Sequence, residues 1–327
     1  MKRRDFIALA AGAALPIALP HAARAQAPTP PTVGFLDAAA EDDGALAAFH
    51  QGLQMEQASA AHQSAAVEYR SAAGNDGRLP GLATDLVGRN VAVLAANGRA
   101  AALAAKAATT TIPIVFAVDA DPVQLGLVGN LYRPGGHITG VVRSAPGLEQ
   151  KRLELLRTLL PAVKTVALLV DPTNPDAEKQ AQNITTAADA LGLNVHVLHA
   201  SAATALDDAF AAAAALHAGA LAIGDGGLFA DQAAKLAALA AHYALPAIAA
   251  DRAFATAGGL MSYGSSATEV YHQIGAYCGL ILKGAKAADL PVFRSMQFEL
   301  CINLKTARSL GLVVPAALRA RADVVIQ

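Results

Sequence analysis

Thr32-Val33-Gly34-Phe35-Leu36-Asp37 reads as a short apolar β-strand, and Thr165-Val166-Ala167-Leu168-Leu169-Val170 repeats it 133 residues later. Both runs are apolar nearly throughout, as strands of a parallel sheet covered on both faces are. Working outward, further apolar runs follow at Ala66–Arg70, Val91–Ala95 and Ile112–Val118. In the second half the equivalents are Asn194–His199, Ala220–Ile223 and Pro246–Ala250. Pro113 and Pro246 keep the 133-residue offset, and Val91 and Leu221 differ by 130. Helix-length, alanine-rich segments lie between the runs: Gly44–Gln57, Leu79–Gly88 and Arg99–Thr109, then Pro175–Leu191, Ala203–His217 and Asp231–Tyr243. Strands alternating with helices predict βαβ units. The repeat predicts two α/β lobes, each a doubly wound parallel sheet.

The tail departs from a simple tandem. Gly259–Tyr263 and Phe298–Ile302 read as further strands, Ala267–Lys283 as a helix and Lys305–Leu310 as a short helix. The chain is therefore expected to cross between lobes more than once, with Thr139–Ser144 as the first crossing. The expected division is residues 32–140 plus 264–290 for the first lobe. Residues 141–263 plus 291–327 make the second.

Composition narrows the function. The chain has 327 residues, 54% of them hydrophobic and 16% charged, which excludes a disordered chain. A formal net charge of −1 and the lack of any like-charge run give no footing for nucleic acid. The start, Met1-Lys2-Arg3-Arg4-Asp5-Phe6-Ile7, is basic. An apolar stretch follows to Pro20, then Ala23-Arg24-Ala25. That order reads as a secretory signal peptide over 1–25, cleaved after Ala25, with Arg3-Arg4 and Phe6 pointing to the twin-arginine route. The apolar part is too short for a spanning helix. Cleavage removes four basic residues and one acidic residue, leaving a net charge of −4. Residues 26–31 form a Pro-rich extended leader. The expected location is the periplasm, as a monomer without direct membrane insertion, where cytosolic cofactors are out of reach; no cofactor is expected.

Ligands of open parallel sheets bind beyond the carboxyl ends of the strands. The candidates at those ends are Asp37 and Ala38, Asn97 and Arg99, and Asp119 in the first half, with Ser144 near the first crossing. In the second half they are Thr173 and Asn174, Asp225 and Phe229, Asp251 and Tyr263. Asn174 followed by Pro175 suits the start of a helix, as N-cap and first helical residue. Arg99 at a helix start opposes the dipole, which points to an anionic partner. Asp119 or Asp37 suits an amine or hydroxyl, and Phe229 and Tyr263 suit apolar walls. Glu41-Asp42-Asp43 reads as a charge cluster at a helix start. His196 and His199 fall on opposite faces of a strand, so they do not share a metal, and no metal site is expected. Cys278 and Cys301 fit no disulfide framework or zinc spacing and are expected to be free and buried. No phosphate loop, dinucleotide fingerprint, zincin motif or nucleophile elbow is present, so no catalytic residue is assigned.

Long stretches of the chain resemble the substrate-binding proteins of ABC transporters, among them the tryptophan-type binding proteins of the type I periplasmic fold. The stretches are Val33-Gly34-Phe35-Leu36, Ala101–Phe116, Asp121-Pro122-Val123, Arg133-Pro134-Gly135-Gly136 and Lys151–Leu156. They continue at Gly258–Gly264, Ile281-Leu282-Lys283-Gly284 and Ile302–Ala307. The resemblance implies two lobes joined by three crossings, and a cleft that closes on a small ligand such as an amino acid or an aromatic carboxylate. It also implies docking to a membrane permease. The family often has Asn and then small hydroxyl residues after the first strand; this chain has Asp37-Ala38-Ala39-Ala40. Two other readings stand beside it: a sensor with the same cleft presenting its bound state to a membrane receptor, and an exported α/β enzyme.

Overall fold

The computed structural model describes residues 30–39, 42–57, 65–143, 145 and 147–327. The expected signal peptide, most of the leader, Ala40, Glu41 and Ser144 lie outside the described residues.

The first lobe runs β1 (Thr32–Asp37), α1 (Asp43–Gln57), β2 (Ala66–Ser71), α2 (Leu79–Gly88), β3 (Val93–Asn97), α3 (Arg99–Ala108), β4 (Ile114–Val118) and β5 (Ile138–Val142). The second runs α4 (Leu148–Leu159), β6 (Thr165–Val170), α5 (Ala177–Leu191), β7 (Asn194–His199), α6 (Leu206–Ala215), β8 (Ala220–Ile223), α7 (Gly227–Asp231), α8 (Ala233–His242), β9 (Ala247–Ala249), α9 (Arg252–Thr256) and β10 (Met261–Ser265). The tail adds α10 (Ala267–Leu282), β11 (Phe293–Arg294), β12 (Phe298–Asn303), α11 (Leu304–Ser309), α12 (Ala316–Arg319) and β13 (Val324–Ile326).

The strands form two sheets, ordered β11-β5-β4-β3-β1-β2 and β13-β12-β10-β9-β8-β6-β7. The core of each has the same winding, with the second strand outside the first and the third to fifth on its other side. All pairs in the first sheet are parallel; in the second, β12 runs antiparallel to β10. Alternating strand residues serve opposite faces. Val33 and Phe35 join Val93, Ala95 and helices α1 and α10 on one side, while Leu36, Leu94 and Ala96 meet α2 and α3 on the other. The second lobe divides the same way, Val166 and Leu168 against Ala167 and Leu169. The edge strand β7 is less covered: Val195 and Leu198 are half-buried against the core and Val197 is exposed, because no further strand lies beyond it.

The chain passes between the sheets three times: after β5, after β10 and after β11. Thr139–Val142 is not part of a crossing, since it is the fifth strand of the first sheet. Residues 141–142 and 293–294 thus sit in the first sheet and 264–265 in the second, shifting the expected boundaries by a few residues. Each half ends on a fifth strand before it leaves.

The crossings are tied side by side. Ser265 Oγ donates to the Arg143 carbonyl, and Ser266 N donates to Gln297 O at 2.9 Å. Glu269 Oε2 accepts from Ser295 Oγ, from Met296 N at 3.2 Å and from Gln297 N at 3.1 Å.

Helix α10 returns to the first lobe by packing along α1. The approach is close because glycine faces backbone on both sides. A methyl group on Gly275 would fall 2.0 Å from the Phe49 carbonyl oxygen, and one on Gly52 would fall 2.0 Å from that of His272. Gly275→Ala should therefore destabilise the protein by about 3 kcal/mol, the upper end for overpacking, read as a lowered urea midpoint. Gly81→Ala, where a methyl group meets nothing within 4 Å, should be neutral or add up to about 1 kcal/mol.

Candidate functional site

The carboxyl ends of both sheets face one cleft. From the first lobe come the ends of β1, β3, β4 and β5, with Ala38, Asn97, Asp119 and Arg143. From the second come the ends of β6, β8 and β9, with Asp171, Thr173, Asp225 and Asp251. The cleft has two adjoining chambers, lined in common by Arg143, Ala230, Asp251 and Ala267. One is narrow, about 70 Å³, and lies against Arg152 and Phe229. The other is about 360 Å³ and lies between Asn97 and Asp231. The strand-order reversal in each sheet, between β1 and β3 and between β6 and β8, opens onto this space.

Two arginines organise the floor. Arg143, just after β5, holds Asp119, just after β4: Nε lies 2.8 Å from Oδ1, and Nη2 donates to Oδ2 at 3.1 Å. One hydrogen bond and one close charge contact tie the two loops together. Arg152, on α4, is 1% exposed. Its Nη2 donates to Asp225 Oδ1 at 2.5 Å and its Nε to the Tyr263 carbonyl at 3.0 Å. Its Nη1 has no partner among the described residues. Burial raises the Asp225 carboxyl above its ordinary value, against the pull of Arg152. Glu149, one turn earlier on α4, is raised by burial and by the nearby Asp225, and its Oε2 is unpartnered as well.

Behind the first lobe's wall, Asp37 is fully buried and satisfied. It accepts from Tyr271 Oη at 2.7 Å, Asn97 Nδ2 at 2.9 Å, Ala39 N at 3.0 Å and Tyr69 Oη at 3.1 Å. Burial still raises its carboxyl, and burial with the adjoining Asp37 raises the Tyr271 phenol. Asn97 Nδ2 also donates to Tyr271 Oη at 2.9 Å.

Of the residues expected at the site, Ala38, Asn97, Arg99, Asp119, Thr173, Asp225, Phe229 and Asp251 line the cleft. Asp37 stands behind it, its lone pairs occupied by the protein's own donors. Asn174 does not cap a helix. The helix begins after Asp176; Asn174 Oδ1 accepts from Asp176 N at 3.1 Å, and Nδ2 donates to the Asp225 carbonyl at 2.8 Å. It braces one loop against another from below. Tyr263 packs on Phe298, with ring centroids 6.3 Å apart, at the edge of the second lobe's core. Arg99 finds a carbonyl rather than an anion: Nη1 donates to Thr173 O at 3.0 Å, across the cleft. Sequence reasoning missed Arg143, Arg152, Asp231 and Tyr271. Arg152 stood in the quoted run Lys151–Leu156, but nothing local marks an arginine on an amphipathic helix as buried. Cys278 and Cys301 are free and buried. Burial raises both thiols, that of Cys301 to about 11.

The model of the family described as ABC transporter substrate binding protein matches residues 39–326. The chain belongs to that family, whose members are solute-binding proteins. A tyrosine-binding protein of Clostridioides difficile (strain R20291) is 25% identical over 211 residues. That match spans 64% of this chain and 60% of the relative's length. Among solved structures, a conserved domain protein from Vibrio cholerae is 26% identical with a TM-score of 0.77, covering 91% of this chain and 100% of that one. An ABC domain from Streptococcus pneumoniae in complex with L-Trp is 23% identical with a TM-score of 0.78, at the same coverage. A leucine binding protein from Thermotoga maritima shares the architecture more distantly, at 12% identity and a TM-score of 0.51 over 77% of this chain and 81% of that one. The fold is that of the type I periplasmic binding proteins. Among the described residues no helix is long and apolar enough to cross a membrane.

The Arg152–Asp225 pair gives a stability test. Arg152→Met leaves Asp225 buried without its cation and should cost about 3–5 kcal/mol. Adding Asp225→Leu removes the orphaned charge and should recover much of that loss. Urea denaturation of the three chains measures both steps, and equal losses in the single and double variants would contradict the reading.

Proposed function

We propose that this protein is the periplasmic receptor of an ABC importer, binding a small amino-acid-type solute between its lobes and delivering it to a membrane permease. No bond is made or broken. The observation that carries the reading is the facing of both sets of strand ends across one cleft, with a buried arginine donor left free there. Arg152 Nη1 is suited to a carboxylate or carbonyl of the solute. Phe229 offers an apolar wall, and Asp119 and Asp251 offer acceptors. Arg99 and Thr173 join the lobes at the cleft, as does Asp121 N with Asp176 Oδ2 at 3.3 Å. Such contacts form and break in hinge closure.

The relatives named above support an amino acid as the solute. Refolded, solute-free protein melted against amino acids and small carboxylates tests the reading. A ligand at 100 times its dissociation constant adds about 2.7 kcal/mol, a rise of roughly 2–4 °C for a chain of this size. The same ligand should reduce the radius of gyration in small-angle scattering; a ligand that raises the melt without compaction would contradict closure.

Export belongs to the same reading, through the twin-arginine signal and cleavage after Ala25. Replacing Arg3 and Arg4 by Lys should hold the precursor in the cytoplasm, and the exported form should begin at Gln26. Normal export of the doubly substituted precursor would redirect the protein to the general secretory route.

A further inference from the structure

The larger chamber keeps more negative charge than it neutralises. Arg143 faces it but is committed to Asp119. Arg99 spends Nη1 on a carbonyl. Against these stand Asp42, Asp76, Asp171, Asp231 and Asp251. Asp42, Asp171 and Asp251 each accept hydrogen bonds from neighbouring N–H groups, through one carboxylate oxygen. Those bonds leave their charges in place. The Asp231 carboxylate has no hydrogen bond or ion pair among the described residues. It projects from the second lobe toward the first, where a methyl group on Gly74 would lie 3.5 Å from its Cβ.

A second, independent feature has the same polarity. Asn97 is 5% exposed and lines this chamber. Its orientation is set by its neighbours, since the amide nitrogen must face the Asp37 carboxylate at 2.9 Å and Tyr271 Oη at 2.9 Å. Its Oδ1 is therefore an acceptor, and no described residue donates to it. A buried acceptor without a donor is costly unless something fills the role. Among the described residues, no three of His, Cys, Asp or Glu gather closely enough to hold a metal ion. The acceptors are spread around a cavity of about 360 Å³, which suits a cationic group bearing several N–H donors.

We infer that the solute is a net-cationic amino compound, a basic amino acid or a diamine, whose charged end occupies the larger chamber against Asp231, in the field of Asp76 and Asp251 and on the side of Asn97. This rests on the receptor reading and sharpens it. For a basic amino acid, the carboxylate at the opposite end reaches the narrow chamber, where Arg152 Nη1 awaits an acceptor.

The titration of Asp231 gives a second readout. Burial raises its carboxyl to about 7, assisted by Asp76, Asp37 and Asp251 and opposed by Arg143. Asp42 and Arg99 line the same chamber. A bound cation favours the ionised carboxylate, so binding releases a proton below pH 7. Affinity should rise about tenfold from pH 6 to pH 8.

Calorimetric titration of the refolded, solute-free chain with L-lysine, L-arginine and 1,4-diaminobutane tests the inference, with L-norleucine, L-tyrosine and benzoate as comparators. L-Norleucine has the lysine chain without its terminal ammonium. At least one cation should bind tenfold or more tightly than norleucine, tyrosine or benzoate. Asp231→Asn, which breaks no internal bond, should lose at least tenfold for that cation and abolish the pH dependence. Equal or tighter binding of an uncharged or anionic comparator overturns the inference and leaves the receptor reading standing. Cation binding that Asp231→Asn leaves unchanged overturns the placement in this chamber. A panel in which nothing binds overturns the inference and the amino-acid receptor reading together.

Discussion

The carboxylate of Glu269 holds the place on which the two-lobed arrangement depends. One of its oxygens gathers a hydroxyl and two backbone N–H groups from the third crossing, while Ser265 and Ser266, on the second, reach the first and third. A doubly wound sheet presents its useful end only at the carboxyl termini of its strands. Two such sheets can share one ligand only if those ends face each other. Leaving the sheets at the carboxyl ends of β5, β10 and β11 puts every crossing at the edge of the shared space. Hydrogen bonds bundle the crossings into one tied group rather than three loose linkers.

The ion pairs within each lobe follow from the same geometry. Strand ends bring polar loops into a space that a bound ligand would dry. Buried pairs of this kind contribute little net stability, because desolvation offsets their attraction. Their value is positional. Arg143 with Asp119 fixes β5 against β4, and Arg152 with Asp225 fixes α4 against β8. Each presents the edge of a guanidinium to the cleft in one orientation. Loops that line the cleft thus start out ordered, and little ordering entropy would remain to oppose binding there.

The regular part of this structure was legible in the sequence because it is periodic. The strand–helix alternation and the 133-residue echo of Thr32-Val33 in Thr165-Val166 survive any change of tertiary detail. Less legible were elements whose role depends on a distant partner. Thr139–Val142 looks like a link until Ile114–Val118 is beside it, when it becomes the fifth strand. Asp37 stands at a strand end, as a binding residue would, yet it is answered by Tyr271 from 234 residues away. Asn174 has the residue type of a helix cap and the neighbour of one, but the Asp225 backbone claims its amide. Strand-end position predicted which residues approach the cleft; it did not predict which are already paired. That distinction separates Asp37 from Asp231, and no local pattern carries it.

The lining itself limits what kind of recognition is possible. Apart from Phe229, Phe254 and Tyr271, all buried, the hydrophobic surface of the cleft is mostly alanine, with glycine beside it: Ala38, Ala230, Ala249, Ala250, Ala267 and Gly264 among them. Alanine offers little area, so its burial discriminates weakly between solutes of different shape. A chain with 5% aromatic residues and no tryptophan has few large rings to build a stacking slot. Selectivity then falls to the charged groups, whose interactions strengthen as closing lobes exclude water. An uncompensated carboxylate that is tolerable in an open, wet cleft becomes expensive in a closed, dry one. If the lobes close as proposed, the ligand that closes them is the one that supplies the missing charge, and shape need only permit its entry.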